Sequence, residues 1–424
     1  MAKDTSLDLA SATIYQIFTR AFSPKGDFAS IHPHLDRIRS LGADIVWLTP
    51  VQPIATVNRK GTYGSPYAAY DYRAVNPDFG TKDDLGKLAD AVHAKGMKLM
   101  IDVVYNHTGV DSVLSKEHPE WFYRRDGKIT RKFEEWSDVW DLDYSKKELW
   151  DYQIETLHMW ADLGVDGFRC DVATMVPAEF WVKARKSFAG KKNIIWLAES
   201  THLYFLKALR EHGYPVATDS ELFEAFDMLY DYDGYEIIER YRVGKARLRE
   251  YINHVYAQTN IYPATSLKLR FLENHDQPRA AAVYRGDFNL RNWSVFYQFL
   301  PGPSLVYAGQ EIRETKLPSL FENDKVDWSR KDDFEGFLRA VIACSKEVKT
   351  GSPCFSHSEL CDGVYELEWK TPHSRYSVFV NLENRTGIIP TFHSLQGKNL
   401  LDGSAVKIEG RVYAEQMPMI VKRA

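Results

Sequence analysis

Short apolar runs rich in β-branched residues alternate with amphipathic stretches along most of this chain, and no other feature of the sequence limits the fold as strongly. Eight such runs occur before residue 310: ATIYQIF, DIVWL, KLMIDVV, DGFRCDV, NIIWLAE, LFEAFDM, LKLRFLE and PSLVYAG. Repeated strand and helix units build a parallel sheet whose faces are covered by helices. Eight units favour an α/β fold with a closed (β/α)8 TIM barrel, although an open doubly wound sheet would show the same pattern.

The stretches between the strands carry helix boundary signals. In TKDDLGKLADAVHAKG, Thr81 lies three residues before Asp84, which predicts a capping box, and Gly96 ends the pattern. In SKKELWDYQIETLHMWADLG, Ser145 and Glu148 predict a second capping box, and a glycine again ends the pattern. Both stretches are therefore predicted to be the helices of βα units.

Two regions break this repeat and predict further domains. A segment rich in Trp, Tyr and charged residues follows the third strand and is too long for an ordinary βα loop. After about residue 350, alternating stretches such as GVYELEWK and RYSVFVNLE indicate antiparallel strands. We predict a barrel domain over 1–106 and 147–350, an inserted domain over 107–146, and a C-terminal antiparallel β-sandwich domain over 351–424.

Polar side chains follow four of the predicted strands, and in a parallel barrel function collects at the carboxyl ends of the strands. They stand at the ends of the third, fourth, fifth and seventh strands or directly after them and are Asp102, Asn106, His107, Arg169, Asp171, Glu199, His275 and Asp276. Each of them alone could be a strand-end cap or a satisfied polar group. Their occurrence at one end of a single barrel indicates an active site.

Arg169 and Asp171 lie on the same face of the fourth strand, because side chains alternate along a strand, while Phe168 and Cys170 face the other way. An ion pair without function would have the same pattern. Neighbouring strands are about 4.8 Å apart, so Asp171 and Glu199 could stand about 5 Å apart, the separation found in retaining glycosidases. We expect Arg169 to keep Asp171 ionised as a nucleophile and Glu199 to have a raised pKa that suits an acid.

The ordered motifs DVVYNH, GFRCD, the Glu of LAES, ENHD and the later GQE resemble those of the α-amylase family of glycoside hydrolases, from about residue 12 to about residue 311. This set of motifs is far more specific than any one of them. The resemblance implies a barrel, an inserted domain after the third strand and a C-terminal β domain. That architecture agrees with the organisation indicated by the strand and helix pattern.

Carried over residue by residue, the resemblance implies that Asp171 is the nucleophile, Glu199 the general acid and base, and Asp276 a third carboxylate that binds sugar hydroxyls. It implies that Arg169, His107, His275 and Tyr67 surround the same sugar, with Tyr67 as an aromatic platform. We expect Asp102 to support the carboxyl ends of the strands rather than to react.

Two departures from the family pattern concern the leaving group and calcium. Endo-amylases usually follow the nucleophile with a Lys-His pair that reaches the leaving-group side, but here those positions are Thr174 and Met175. Asn106 matches a family calcium ligand, yet the inserted segment lacks a cluster of carboxylates and SPKGDF lacks the alternating Asp/Asn of a calcium loop. WDLDY resembles the motif at the end of the inserted domain, with Asp143 where Asn is usual. We expect the chemistry to need no cofactor, and Asn106 remains the candidate ligand for calcium.

Composition narrows the classes of partner. The formal net charge is −4 with both signs interspersed, which gives no basic patch for nucleic acid. Aromatic residues make up 13% of the chain, which suits a sugar-binding site, although a Tyr-rich core would have the same composition. We expect an oligosaccharide or α-glucan substrate, and the sequence leaves the oligomeric state open.

The cysteines and the apolar segments indicate the cellular compartment in which the protein works. Cys170, Cys344, Cys354 and Cys361 show no CxxC pairing, so we predict free thiols rather than disulfides or a zinc site. The N-terminal residues lack a signal-peptide pattern, and no run of about 18 apolar residues occurs. We expect a cytoplasmic protein that does not span a membrane.

These observations lead to one hypothesis and two alternatives. The hypothesis is a retaining hydrolase of α-glucosidic bonds, mainly α-1,4, in maltooligosaccharides or related α-glucans. The first alternative is a transglycosidase or phosphorylase with the same glycosyl-enzyme intermediate, in which a sugar or phosphate replaces water as the acceptor. The second is a catalytically inactive carbohydrate-binding relative, which should show erosion of the three carboxylates or a membrane anchor.

Overall fold

The barrel is closed in the computed structural model, which describes residues 2, 4–330, 332–351 and 353–424. Its eight strands are parallel and are β1 (Thr13–Ile17), β2 (Ile45–Leu48), β3 (Lys98–Val103), β4 (Gly167–Cys170), β5 (Ile195–Ala198), β6 (Met228–Tyr230), β7 (Leu267–Leu269) and β8 (Ser304–Tyr307). Strand β1 pairs with both β2 and β8, and a parallel bridge from Arg270 to Ser304 joins the β7 side to β8. The predicted TIM barrel is confirmed, and an open sheet is excluded.

The sixth strand is the one that was predicted in the wrong place. The run LFEAFDM was expected to be a strand, but its first residue, Leu222, ends the short helix Asp219–Leu222, and β6 begins only at Met228. Phe226 N donates a hydrogen bond to Leu222 O at 3.0 Å, so the apolar residues between them are buried in a turn. A short apolar run does not by itself distinguish a buried strand from a buried turn.

Helices surround the barrel and connect it to the other parts of the chain. The α-helices are Thr19–Phe22, Leu35–Leu41, Lys82–Ala94, Val113–Glu117, Lys147–Asp162, Ala178–Ser187, Leu203–Glu211, Asp219–Leu222, Tyr232–Arg242, Leu248–Ile261, Ala280–Val283, Asp287–Gln298 and Phe334–Lys349. Their apolar faces pack on the outside of the strands, with Phe168 and Cys170 of β4 in that core as expected. Within the described residues, none of these helices is both long enough and apolar enough to cross a membrane.

Only the first of the two predicted capping boxes is present. The helix Lys82–Ala94 begins after Thr81, whose side chain accepts a hydrogen bond from Asp84 N, while Asp84 Oδ2 accepts one from Thr81 N at 3.0 Å. The helix Lys147–Asp162 has Lys146 at its N-cap, with no side-chain cap. The backbone amide of Ser145 donates instead to Asp143 Oδ1 at 3.0 Å, so this residue belongs to the preceding turn and that prediction was wrong.

Small sheets follow β3, and a larger antiparallel sheet follows the barrel. After β3, the strands His107–Gly109 and Val139–Asp141 pair, as do Arg124–Arg125 and Lys128–Ile129.

The C-terminal strands are β9 (Cys354–Cys361), β10 (Val364–Lys370), β11 (Arg375–Asn381), β12 (Ile388–Pro390), β13 (Leu395–Asn399), β14 (Ala405–Ile408), β15 (Arg411–Tyr413) and β16 (Met419–Arg423). A second apolar core lies between the six-stranded sheet and the ribbon formed by β12 and β15. The numerical domain boundaries stay predictions.

A matched pair of substitutions, one at each predicted capping box, tests the assigned helix starts. Thr81→Ala removes a hydrogen-bonded N-cap and should cost about 1 kcal/mol of unfolding free energy, measured as a lower urea midpoint. Ser145→Ala removes a side chain that does not cap its helix and should leave the midpoint unchanged. Equal shifts in the two variants would contradict the assigned helix starts.

Candidate active site

A buried guanidinium occupies the centre of the carboxyl ends of the strands. Arg169 of β4 has no solvent exposure, and its Nη1 donates to Asp102 Oδ1 and to Asp171 Oδ1, each at 2.8 Å. Its Nη2 lies 3.0 Å from Glu199 Oε2, a charge contact without hydrogen-bond alignment. Three aromatic rings surround the cation at 5.3 to 5.7 Å, those of Trp47, Tyr67 and Tyr230. One cation therefore holds carboxylates from three strands.

Asp171 and Glu199 are neighbours because β4 and β5 are paired in register. Cys170 is opposite Ala198, and each carboxylate residue follows directly on its strand. Glu199 N donates to Cys170 O at 3.0 Å, which continues the pairing past the ends of the strands. The two side chains thus stand on adjacent backbones, about 4.8 Å apart as in any sheet.

The left-handed backbone of Val172 adds a contact between these two positions. Val172 has φ 40° and ψ 44°, a conformation that a β-branched residue adopts only at a cost in strain. In this conformation its amide donates to Glu199 Oε2 at 2.8 Å. The residue after Asp171 therefore fixes the carboxylate of Glu199.

Burial raises the pKa of both Asp171 and Glu199. For Asp171 this differs from the expectation that Arg169 would keep its carboxylate ionised. Burial raises the pKa of Asp171 to about 7, although Arg169 opposes the shift, so this cation does not keep the pKa low as expected. Burial raises the pKa of Glu199 further, to about 8, with Asp171 and Asp276 adding to the rise. The order of the two values remains the one expected of a nucleophile and an acid.

A chain of hydrogen bonds holds the aromatic side of the site. Gln16 Nε2 lies 2.7 Å from His275 Nδ1, His275 Nε2 lies 2.5 Å from the Tyr67 hydroxyl, and that hydroxyl donates to Asp102 Oδ2 at 3.1 Å. Burial lowers the pKa of His275 to about 4, so the ring is neutral. Its Nε2 also lies 3.1 Å from Asp276 Oδ2. The ring centroids of Tyr67 and His275 are 5.5 Å apart and the ring planes differ by 17°, so the two rings are nearly parallel.

The residues around Asn106 do not fit a calcium ion. Asn106 turns its amide nitrogen toward His107 Nδ1 at 3.1 Å and Asp141 Oδ1 at 3.4 Å. The other oxygen of Asp141 accepts from the backbone of Lys132 at 2.9 Å and lies 3.9 Å from its ammonium group. Asp138 is likewise 3.1 Å from Lys60 Nζ. Lysine side chains thus provide the positive charge beside both carboxylates.

Each side chain predicted for the site lies at the carboxyl ends of the strands. His107 Nε2 is 3.9 Å from Asp171 Oδ2, and Asp276 adjoins His275. Asp102 is fully buried between Arg169 and Tyr67, as expected of a supporting residue. The roles assigned to these residues stay predictions.

Sequence reasoning missed Gln16 and Tyr232. Gln16 lies within β1, whereas the strands that supplied the predicted site residues were the third, fourth, fifth and seventh. Tyr232 follows β6, the strand that was placed too early, and Asn274 Nδ2 lies 3.5 Å from its hydroxyl. A correct start for β6 would have drawn attention to this tyrosine.

Residues 11–347 match the family described as alpha amylase, catalytic domain. The chain belongs to the α-amylase family of glycoside hydrolases. Its structure is similar to that of an α-amylase from Lactobacillus plantarum, with a TM-score of 0.94 and 38% identity, covering 98% of this chain and 100% of that one. It is also similar to a noncanonic maltogenic α-amylase, AmyB from Thermotoga neapolitana, with a TM-score of 0.86 and 32% identity over 98% of this chain and 99% of that one.

Curated family members match over part of their length. The α-amylase MalA of Haloarcula japonica is 26% identical over 359 residues, which are 81% of this chain and 49% of that protein. An oligo-1,6-glucosidase of Parageobacillus thermoglucosidasius is 27% identical over 390 residues, which are 73% of this chain and 66% of that protein. The chain therefore spans about half to two thirds of the length of these two relatives.

Proposed function

We propose that this α-amylase family member is a retaining hydrolase of α-glucosidic bonds, mainly α-1,4, in maltooligosaccharides or related α-glucans. The observation that carries the proposal is the pairing of β4 with β5, which puts Asp171 and Glu199 on adjacent strands in contact with one guanidinium. A spacing of about 5 Å leaves no room for water between a carboxylate and the sugar, so the carboxylate itself attacks.

The reaction then has two displacement steps. In the first, an Asp171 oxygen bonds to the anomeric carbon while the bond from that carbon to the leaving oxygen breaks, and Glu199 gives the leaving oxygen its proton. In the second, Glu199 takes a proton from water, which attacks the anomeric carbon and releases Asp171. Two inversions give net retention. Tyr67, His275 and Asp276 hold the sugar while it distorts.

The alternatives differ in the acceptor and in whether chemistry occurs. A transglycosidase or phosphorylase would use the same first step, and product analysis with and without phosphate separates it from a hydrolase. An inactive binding relative is disfavoured because Asp171, Glu199 and Asp276 are all in place at the carboxyl ends of the strands. The names of similar proteins include both an α-amylase and an oligo-1,6-glucosidase, so the choice of linkage rests on substrate tests.

The proposed mechanism predicts the configuration of the first product and the effect of replacing the nucleophile. Time-resolved NMR on maltooligosaccharides should show the α-anomer as the first product, because two inversions retain configuration. Asp171→Asn should lower kcat/KM by about a thousandfold or more, since the amide is a poor nucleophile. Asp143→Asn changes a carboxylate in the turn before the helix Lys147–Asp162 and should stay active. A first product with the β-configuration would refute retention, and an active Asp171→Asn enzyme would refute the nucleophile.

The pKa values of Asp171 and Glu199 predict how kcat/KM depends on pH. Asp171 must be ionised to attack, so kcat/KM should fall as the pH drops below its pKa of about 7. Glu199 must be protonated to act as an acid, so kcat/KM should fall as the pH rises above its pKa of about 8. The profile is therefore a narrow bell whose two limbs belong to the interacting pair.

Glu199→Gln tests the assignment of the alkaline limb. The substrate is α-glucosyl fluoride, because fluoride leaves without a proton and the variant can still react. Its kcat/KM should lack the alkaline limb that the wild type shows on maltooligosaccharides and should keep the acid limb. An unchanged alkaline limb in this variant would assign that limb to another group.

We also propose that the chain needs no calcium, on the ground that lysines pair with the carboxylates near Asn106. A chelator such as EDTA should leave both kcat/KM and the thermal unfolding midpoint unchanged, and added calcium chloride should raise neither. A loss in either quantity that calcium restores would contradict this proposal. The unfolding midpoint reports on a structural ion even if activity is unaffected.

A further inference from the structure

A cavity of about 420 Å³ lies beside the segment between β2 and β3, which carries Tyr67. Its other walls come from the segments that follow β1 and β8. Among the described residues that line it, none is a predicted catalytic or sugar-binding residue. A ligand in this cavity would therefore not occupy the position of the reacting sugar.

Positive charges outnumber negative charges on the walls of this cavity. Three lining residues are cations, Arg20, Lys25 and Arg59, and one is an anion, Asp78. Within the described residues, none of the three cations forms an ion pair with a carboxylate, and Arg59 Nε donates to the Ala55 carbonyl at 3.4 Å. Three positive charges and one negative charge leave the walls with a net positive charge that the protein does not neutralise by pairing.

Arg20 is the buried cation of this group. It is only 7% exposed, and its guanidinium donates to the carbonyl of Gly64 at 3.2 Å, to that of Tyr63 at 3.4 Å and to that of Leu320. Burial lowers the pKa of Arg20 to about 10, although Asp78 opposes the shift. Carbonyl groups thus hold a buried charge that an anion in the cavity would stabilise further.

The buried side chain of Asn76 adds an uncharged donor to the same cavity. Asn76 is 6% exposed, and its Oδ1 accepts a hydrogen bond from Asp78 N at 3.0 Å. Its Nδ2 has no acceptor within the part of the chain that the structure describes, yet it is not sealed from solvent. A ligand with acceptor oxygens would give this amide nitrogen the partner that a buried donor normally has.

The combination of cations and an amide donor matches the chemistry of a phosphate group. Such a group carries a charge of about −1.5 to −2 near neutral pH and offers several acceptor oxygens. Arginine and lysine are the side chains that most often bind it. The cavity is larger than one phosphate, and Ile54, Tyr63 and Phe79 also line it, so it has room for a small organic portion of the ligand.

We propose that this cavity binds a phosphate group, either as inorganic phosphate or as part of a small sugar phosphate, through Lys25, Arg59 and Asn76, with Arg20 adding positive charge. This role differs from that of phosphate as an acceptor in a phosphorylase, because the carboxylates predicted to react do not line the cavity. Binding here requires no glycosidase chemistry, so it can be tested independently of the proposed hydrolase function.

Isothermal titration calorimetry on the full chain, without any glucan, measures this binding directly. Sodium phosphate and glucose 6-phosphate are the probes, and glucose and sodium chloride at equal ionic strength are the controls. Both probes should bind saturably, and both should raise the thermal unfolding midpoint because they bind the folded chain.

The two probes also distinguish the source of the phosphate group. A Kd for glucose 6-phosphate about tenfold or more below that for phosphate would identify a sugar phosphate as the ligand, whereas a Kd no lower than that for phosphate would identify free phosphate. Absence of saturable binding of both probes up to about 10 mM would overturn the proposal.

A matched pair of double variants tests the location of the site. Lys25→Ala/Arg59→Ala removes two exposed cations, so the protein should fold, and the Kd for phosphate should rise about tenfold or more. Lys245→Ala/Arg249→Ala makes the same change in charge at two exposed positions outside the cavity and should keep the wild-type Kd. Equal weakening in the two double variants would overturn the proposal, because it would show only a general attraction of phosphate to positive charge.

Asn76→Asp tests the buried donor. The new carboxylate can still accept the hydrogen bond from Asp78 N, but it replaces the donor nitrogen with a negatively charged oxygen. Phosphate binding should therefore be lost, while glucose and sodium chloride still give no binding signal. A folded Asn76→Asp protein that binds phosphate with the wild-type Kd would contradict the assigned cavity.

Discussion

The site depends on one buried cation and the carboxylates around it. Arg169 contacts Asp102, Asp171 and Glu199 within 3.0 Å, and it is fully buried together with the first of them. Burying such charges costs several kcal/mol per ion, which close pairing and hydrogen bonds offset. Removing the cation would leave three carboxyl groups with little water around them. The arrangement is therefore held as a unit rather than residue by residue.

The burial of these groups also sets the pKa values on which the proposed chemistry depends. Desolvation raises the pKa of both Asp171 and Glu199, and the cation limits the rise. Glu199 keeps its proton to a higher pH than Asp171, which is the order of pKa values that the proposed double displacement needs. Val172 contributes a backbone amide to Glu199 at the cost of a strained conformation, and such strain is commonly found at active sites.

Most of the barrel strands could be predicted from the sequence, and the two wrong predictions have physical reasons. Seven of the eight strand segments and the capping box at Thr81 were predicted correctly, because each depends on a pattern within a single short segment. The strand predicted for LFEAFDM is wrong because Leu222 and Phe226 can be buried in a turn as well as in a strand. The capping box predicted at Ser145 is wrong because Asp143 binds the backbone amide of Ser145, so the helix begins one residue later than the motif predicts.

The sequence by itself determined the repeated βα units, the identity of the polar residues that follow the strands and the family to which they point. Only the tertiary structure decided that Gln16, His275, Tyr67 and Asp102 form one hydrogen-bonded chain, because they come from four separate segments. It also decided the pKa of Asp171, since burial and the charge of Arg169 act in opposite directions and a sequence shows only the charge. Strand patterns are local, whereas desolvation depends on everything that packs around a group.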